Sequence, residues 1–288
     1  MPDSWRLKAD RAEKHLSELR LRIGEYVQKR PYEAVRIERA RNCGEKHPGY
    51  DCGGSWRLQI TEQPDPNLAV IAGDVIHNLR SALDHLAVAL VPSSRRSHAS
   101  FPIETKDIWA KQGRRYVVHE PEPRKHWRTA VKGMPPEAVA FIESMQPYRH
   151  SSPGQHLLAY LNRLENADKH RQLAILTVGV AHAICWGTAR GRIVELKVET
   201  PGAFVVDDGT ELFHFAGRGG PRLTDDEVQV QISGAPLVTT KAAYEGGGQV
   251  QEYQPIGNLL EAGITALRTV IFPGLEPYTR TRLHPPAP

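Results

Sequence analysis

Residues 68–91, "LAVIAGDVIHNLRSALDHLAVALV", constrain this chain more than any other stretch. Placed at about 100° per residue, Leu68, Ile71, Val75, Ile76, Leu79, Ala82, Leu83, Leu86 and Leu90 fall on one broad side, which must pack on other helices. Asp74, His77, Asn78, Arg80, Ser81, Asp84 and His85 take the other side. A solvated helix face ordinarily uses Lys, Glu and Gln, whereas Asp, Asn, His and Ser each cost about a few tenths of a kcal/mol of helix propensity. Neither Lys nor Glu occurs in this segment. The polar residues also pair at i,i+4: His77 with Ser81, Arg80 with Asp84, Ser81 with His85 and Asp74 with Asn78. Such a face makes sense when it is turned toward another helix, a dimer partner or a ligand that supplies hydrogen-bond partners. A plain solvated face is the alternative.

Around this helix the chain predicts an α+β fold. A first helix runs from about Trp5 to Gln28, with Leu16, Leu19, Leu21, Ile23 and Val27 on or near one side, and Pro31 stops it. "YEAVRIERA" and "SWRLQITEQ" alternate as strands and are joined by "NCGEKHPGYDCGG", a β-hairpin inserted at 32–63. In "PDPN", Asp65 or Asn67 is the N-cap of the second helix. "KDIWAKQ" reads as a short helix, "PPEAVAFIESMQPY" as another, and a longer one covers about Gly154 to Arg171. After Gln172 come four strand-like stretches, one with an Asp-Gly turn in "AFVVDDGTELFHFA", which predict a mostly antiparallel sheet. "PIGNLLEAGITALRTVIF" closes the chain as a helix. Two regions are expected, 1–172 helical and 173–288 mostly sheet, able to pack as one domain.

The helix near 154–171 carries "LLAYLNRLENADKHRQL", where the stripe Leu157, Leu161, Leu164 meets Asp168. Arg171 projects to nearly the same side, and Asp168 is placed to orient Arg80 or a histidine of the second helix. A helix end whose basic residues complement the C-terminal dipole is the simpler reading. An Arg, four residues and a His, as in Arg80 to His85, resembles the motif of the HEPN superfamily (higher eukaryotes and prokaryotes nucleotide-binding). "GDVIHNLRSALDHLA" with "LNRLENADKHR" is also similar to a group of uncharacterised bacterial proteins that carry both segments. The chain departs from the HEPN pattern at Ser81, where the family often has Asn, Asp or His, and Arg80 and His85 stand about 140° apart on the helix.

The resemblance implies a metal-independent ribonuclease and a homodimer, with a defence or toxin role by analogy. Its His would act as general acid or base and its Arg would steady charge on the phosphate. Arg80, His85, Asp84, Asn78, His77 and Asp168 are then the candidate catalytic residues, and no cofactor is expected.

"QGRRYVVHEPEPRKHWRTAVKG" bears on the partner. Arg114, Arg115, Arg124, Lys125, Arg128 and Lys132 stand beside Tyr116 and Trp127, positive charge interleaved with aromatics as single-stranded nucleic acid contacts require, and the pairing with the Arg/His motif makes RNA the leading partner. A basic surface loop is the competing reading.

Two metal sites are alternatives: Asp74, His77, Asp84 and His85 on the helix, and Cys43, His47 and Cys52 in the hairpin loop. Neither has a complete ligand set. A third rival is a non-catalytic interaction protein whose polar helix specifies dimer pairing. No P-loop, Gly-rich dinucleotide turn, Gly-x-Ser-x-Gly or His-Glu-x-x-His occurs. With three cysteines, a charged N-terminus and no long apolar run, the chain reads as a cytoplasmic protein without a membrane partner. The net charge of +4 permits an anionic partner.

Overall fold

The computed structural model describes residues 3–37, 51–109, 122–169 and 256–279, and between the last two the stretches 175–180, 182–187, 204–205, 208–209, 211–217, 228–233 and 237–240. The described part is mostly helical, with small antiparallel sheets and a closing helix.

Helix α1 (Ser4–Gln28) leads through Pro31 into strand β1 (Tyr32–Ile37), which pairs antiparallel with β2 (Asp51–Ile60), Tyr32 opposite Ile60. Helix α2 (Asn67–Leu90) follows. Asp65 begins it: its Oδ1 accepts from the Asn67 amide at 2.9 Å, a bond that holds the carboxyl below the usual carboxylate range. A 3₁₀ segment (Ser93–His98), helix α3 (Glu122–Val131), helix α4 (Pro136–Ser144) and helix α5 (Leu157–Lys169) come next. α4 opens on Pro136, where the missing N–H costs nothing. A 3₁₀ turn at Pro153–Gln155 precedes α5, so that helix begins three residues later than Gly154.

The strands of the second half are β3 (Ile175–Val180), β4 (His182–Gly187), β5 (Phe204–Val205), β6 (Glu211–Gly217), β7 (Val228–Ser233) and β8 (Leu237–Thr240). One mostly antiparallel sheet overstates them. They divide among small sheets ordered β1-β2-β6, β5-β3-β8 and β4-β7. The Asp-Gly turn explains part of this division. Instead of joining β5 to β6 as a hairpin it docks on β2, where Asp208 Oδ1 accepts from the Ile60 amide at 2.9 Å and the Gly209 amide donates to the Leu58 carbonyl at 2.8 Å. Gly209 has φ +80°, a conformation that a side chain would strain.

The chain closes through α6 (Ile256–Ala266), a π-helical stretch (Leu267–Ile271) and α7 (Phe272–Leu275). Pro273 withholds a donor from the helical ladder there, and an irregular turn is a usual response.

The apolar face of α2 is the centre of the core. Ile76, Leu79, Leu83, Leu86 and Leu90 are buried with Leu16 and Leu19 of α1, Leu161 and Leu164 of α5, and Leu260 and Ile264 of α6. At Gly263 an added Cβ would lie 3.2 Å from Leu79 Cδ1, so the missing side chain lets α6 approach α2 closely. The C-terminal helix therefore shares its core with the first 90 residues.

Three expectations change. Leu21 is exposed rather than on the buried side of α1, because it lies about 200° around the helix from Leu19, and Tyr26 is buried instead. Ile108 and Trp109 form a turn instead of a short helix, and the rest of "KDIWAKQ" lies outside the described residues. The basic stretch at 124–131 is helical, as part of α3.

Candidate functional site

The polar side of α2 separates into two clusters with different neighbours. The first is a latch. Arg80 Nη2 donates to Asp84 Oδ1 at 3.0 Å and to the Phe101 carbonyl at 2.8 Å, while the Phe101 amide donates to the same Asp84 oxygen at 2.9 Å. One carboxylate and one guanidinium thus satisfy both backbone groups of Phe101, whose ring is fully buried. The helix positions both charges because they are one turn apart. The loop after Phe101 is held similarly by Gln146, itself fully buried: Oε1 accepts from the Glu104 amide at 2.8 Å and Nε2 donates to the Pro102 carbonyl at 3.0 Å.

The second cluster lies between α2 and α5. Glu165 has a buried side chain at 5% exposure, with Oε1 3.6 Å from Nδ1 of His77. His77 is 58% exposed, and its Nε2 is 3.4 Å from Ser81 Oγ. One turn further toward the start of α2, a Cβ on Gly73 would lie 2.5 Å from Asp168 Oδ1, so the Asp168 carboxylate packs on the helix backbone that this glycine exposes.

The remaining candidates take separate places. Asn78 is buried and turns back on its own helix, its Nδ2 donating to the Asp74 carbonyl at 2.8 Å. His85 is half-buried, and both burial and the nearby Lys8 of α1 lower its pKa, against a smaller opposing pull from Asp84. No hydrogen bond or ion pair joins Arg80 to His85 among the described residues. Asp168 meets Gly73 rather than Arg80, and Arg171 lies outside the described residues.

Of the expected RNA contacts, Arg114, Arg115 and Tyr116 lie outside the described residues. Trp127 is a correction. It is 2% exposed in the core, because α3 is amphipathic and Trp127 falls with Ala130 on its inner side, so it has no face for a base. Arg124 donates from Nε to the Ile108 carbonyl at 2.9 Å and lies over the Trp109 ring. Lys125, Arg128 and Lys132 are exposed. Among the described residues of this region, Trp109 is exposed instead, at 44%, with its indole N–H on Glu143.

No group of three His, Cys, Asp or Glu side chains able to hold a metal ion occurs among the described residues, Asp74, His77, Asp84 and His85 included. Cys43 and His47 lie outside them. No described helix is long and apolar enough to cross a membrane.

Glu165 was missed in the sequence although a signal existed. It stands four residues after Leu161 and seven after Leu158, both buried, which places it on the inner side of α5. Arg95, Arg96 and His98 were missed because they sit in a loop with no periodicity.

No protein-family model, curated protein or solved structure matches the chain.

Proposed function

We propose that this is a cytoplasmic RNA-binding protein of HEPN type that cleaves single-stranded RNA without a metal ion and acts as a homodimer. The observation that carries the reading is a basic surface assembled from two parts of the chain. The 3₁₀ segment exposes Arg95, Arg96 and His98, and α3 exposes Lys125, Arg128 and Lys132. The two meet at Gly133, where a Cβ would lie 3.4 Å from Pro92 Cδ and 3.6 Å from Arg95 Cγ. No Asp or Glu occurs within 92–100 or 124–133, while Glu122 opens α3 and Glu104 contacts His126 at 2.7 Å. A polyanion fits such a surface, and each phosphate neutralised releases counterions and steepens the salt dependence of binding.

A second reading, a non-catalytic interaction protein, is favoured by the Arg80–Asp84–Phe101 latch, which spends on internal structure the arginine that cleavage would need.

Binding of a labelled single-stranded RNA, followed by anisotropy across a salt series, tests the first reading, with cleavage assayed in EDTA. Arg95→Glu with Arg96→Glu is expected to weaken binding and to flatten the salt slope by about 0.7 per lost phosphate contact. An unchanged affinity and slope would remove RNA as the partner. Sedimentation of the same samples reads the dimer.

A further inference from the structure

We infer that His77, positioned by Glu165, is the proton-transfer group of this face, in the role that the Arg-x4-His spacing assigns to His85; the inference rests on the RNA reading. The geometry is asymmetric in the useful sense. The Glu165 carboxylate is inside, at 5% exposure, and the imidazole is outside, at 58%. A neutral imidazole beside a carboxylate keeps its proton on the facing nitrogen, here Nδ1, and leaves the Nε2 lone pair on the side where Ser81 Oγ sits. The Nδ1–Oε1 separation of 3.6 Å is longer than a hydrogen bond, and catalytic contacts of this kind tighten when substrate binds. Ser81 Oγ, 3.4 Å from Nε2, marks where a hydroxyl sits when it gives its proton to that nitrogen. Ser81 itself is in a helix interior whose backbone N–H groups are taken by the i−4 ladder, so its own helix turns no backbone N–H toward an oxyanion there. On the RNA reading, the group brought to that nitrogen is a ribose hydroxyl.

His85 lacks these features. Its facing carboxylate, Asp84, is engaged by Arg80 and the Phe101 amide, and Lys8 faces it from α1. His77 also stands about 60° from Arg80 on the helix, against about 140° for His85.

In the step itself, Nε2 of His77 takes the proton of the ribose hydroxyl adjacent to the scissile phosphate. The freed oxygen attacks phosphorus, and the bond to the leaving ribose oxygen breaks with its electron pair on that oxygen. Water protonates the leaving oxygen, and the resulting hydroxide takes the proton from the imidazolium. The products are a cyclic phosphate end and a hydroxyl end, with no oxidant, reductant or metal consumed.

Two measurements on the full chain test this. Two-bond proton–nitrogen NMR of isotope-labelled histidine, with the His77 signals identified by their loss in His77→Gln, is expected to show Nδ1 protonated and Nε2 bare. In Glu165→Gln the ring is expected to revert to the ordinary mixture rich in Nε2–H. Cleavage of single-stranded RNA in EDTA is expected to fall about 10²-fold or more in His77→Gln. That loss should exceed the loss in His85→Gln at least several-fold, and Glu165→Gln should lower kcat with little change in KM. A wild-type ring carrying its proton on Nε2 overturns the proposal, and so does a His77→Gln variant that cuts at the wild-type rate. If the wild type has the Nδ1–H tautomer yet cuts no RNA, the RNA reading is what fails, and the proton-transfer role with it, while the His77–Glu165 pairing stands.

Discussion

The edge between α1 and the C-terminal helical segment 256–278 and the polar face of α2 both use arginine against carboxylate, and they use it for opposite ends. At the edge, Arg20 meets Glu261 through two bonds, 2.6 and 3.2 Å, Arg268 reaches Asp10 and Glu13 at 2.7 Å each, and Arg6 pairs with Glu276. The Arg20 pair is about half exposed on both sides, where solvent screening leaves it little net stabilisation. On α2, Arg80 is 16% exposed and its Asp84 partner also carries the backbone of Phe101. One cluster decorates a contact that apolar packing already makes. The other replaces the water that buried backbone groups would otherwise require.

The largest effect is expected where both regions depend on the same core. Leu83→Asp places an unpaired carboxylate at a fully buried site shared by α1, α2 and α6, and should cost at least about 4 kcal/mol or prevent folding. Thermal melting by circular dichroism checks it. An unchanged melt would mean that the apolar side of α2 is not the core.

Next in size is the latch. Arg80→Ala removes the donor to the Phe101 carbonyl and leaves Asp84 less well paired, and a cost of about 1–3 kcal/mol is expected in denaturant unfolding. Arg80→Lys should recover part of this, since lysine keeps the charge without the fork. If Arg80→Ala costs no more than Arg20→Ala, the contrast between the two regions disappears.

A smaller effect should come from pH. Burial and Lys8 lower the pKa of His85, and burial and His150 lower that of His156, whose ring lies 4.3 Å from His150. For a histidine whose folded pKa lies below the unfolded value of about 6.5, the unfolded chain binds the proton more readily. Stability is then fully present above that pH and declines as pH falls through it toward the folded pKa. The melting temperature should drop on acidification below about pH 6.5, and His85→Gln with His156→Gln should flatten that drop. An unaltered slope would remove both residues as its source.

The smallest effect is at the edge itself. Arg20→Ala should cost less than Arg80→Ala in the same denaturant unfolding, and less still in high salt, as an exposed pair requires. A larger loss that salt does not reduce would place the edge with the latch.

Much of the fold was legible residue by residue. α1, α2, α4 and the closing helix follow from periodicity, Pro31 and Pro136, and the first hairpin from alternation, because these signals act over a few residues. The division of α2 into an apolar and a polar side was also legible. The sheets were not, since Asp208 and Gly209 could dock on β2 only after about 150 residues of intervening chain had brought them together.

The candidate site divides in the same way. By itself the sequence determined that Asp74, His77, Arg80, Ser81, Asp84 and His85 share one side of a helix, because 3.6 residues per turn leaves them nowhere else. Only the tertiary structure decided that Arg80 and Asp84 serve Phe101, that Glu165 and not Asp168 faces His77, and that Trp127 belongs to the core while Arg95 lies beside Gly133, just after α3. The physical reason is that helical period fixes direction around one axis, whereas a partner is chosen by which other segment burial brings to that direction, and this depends on loop paths and packing that no local pattern encodes.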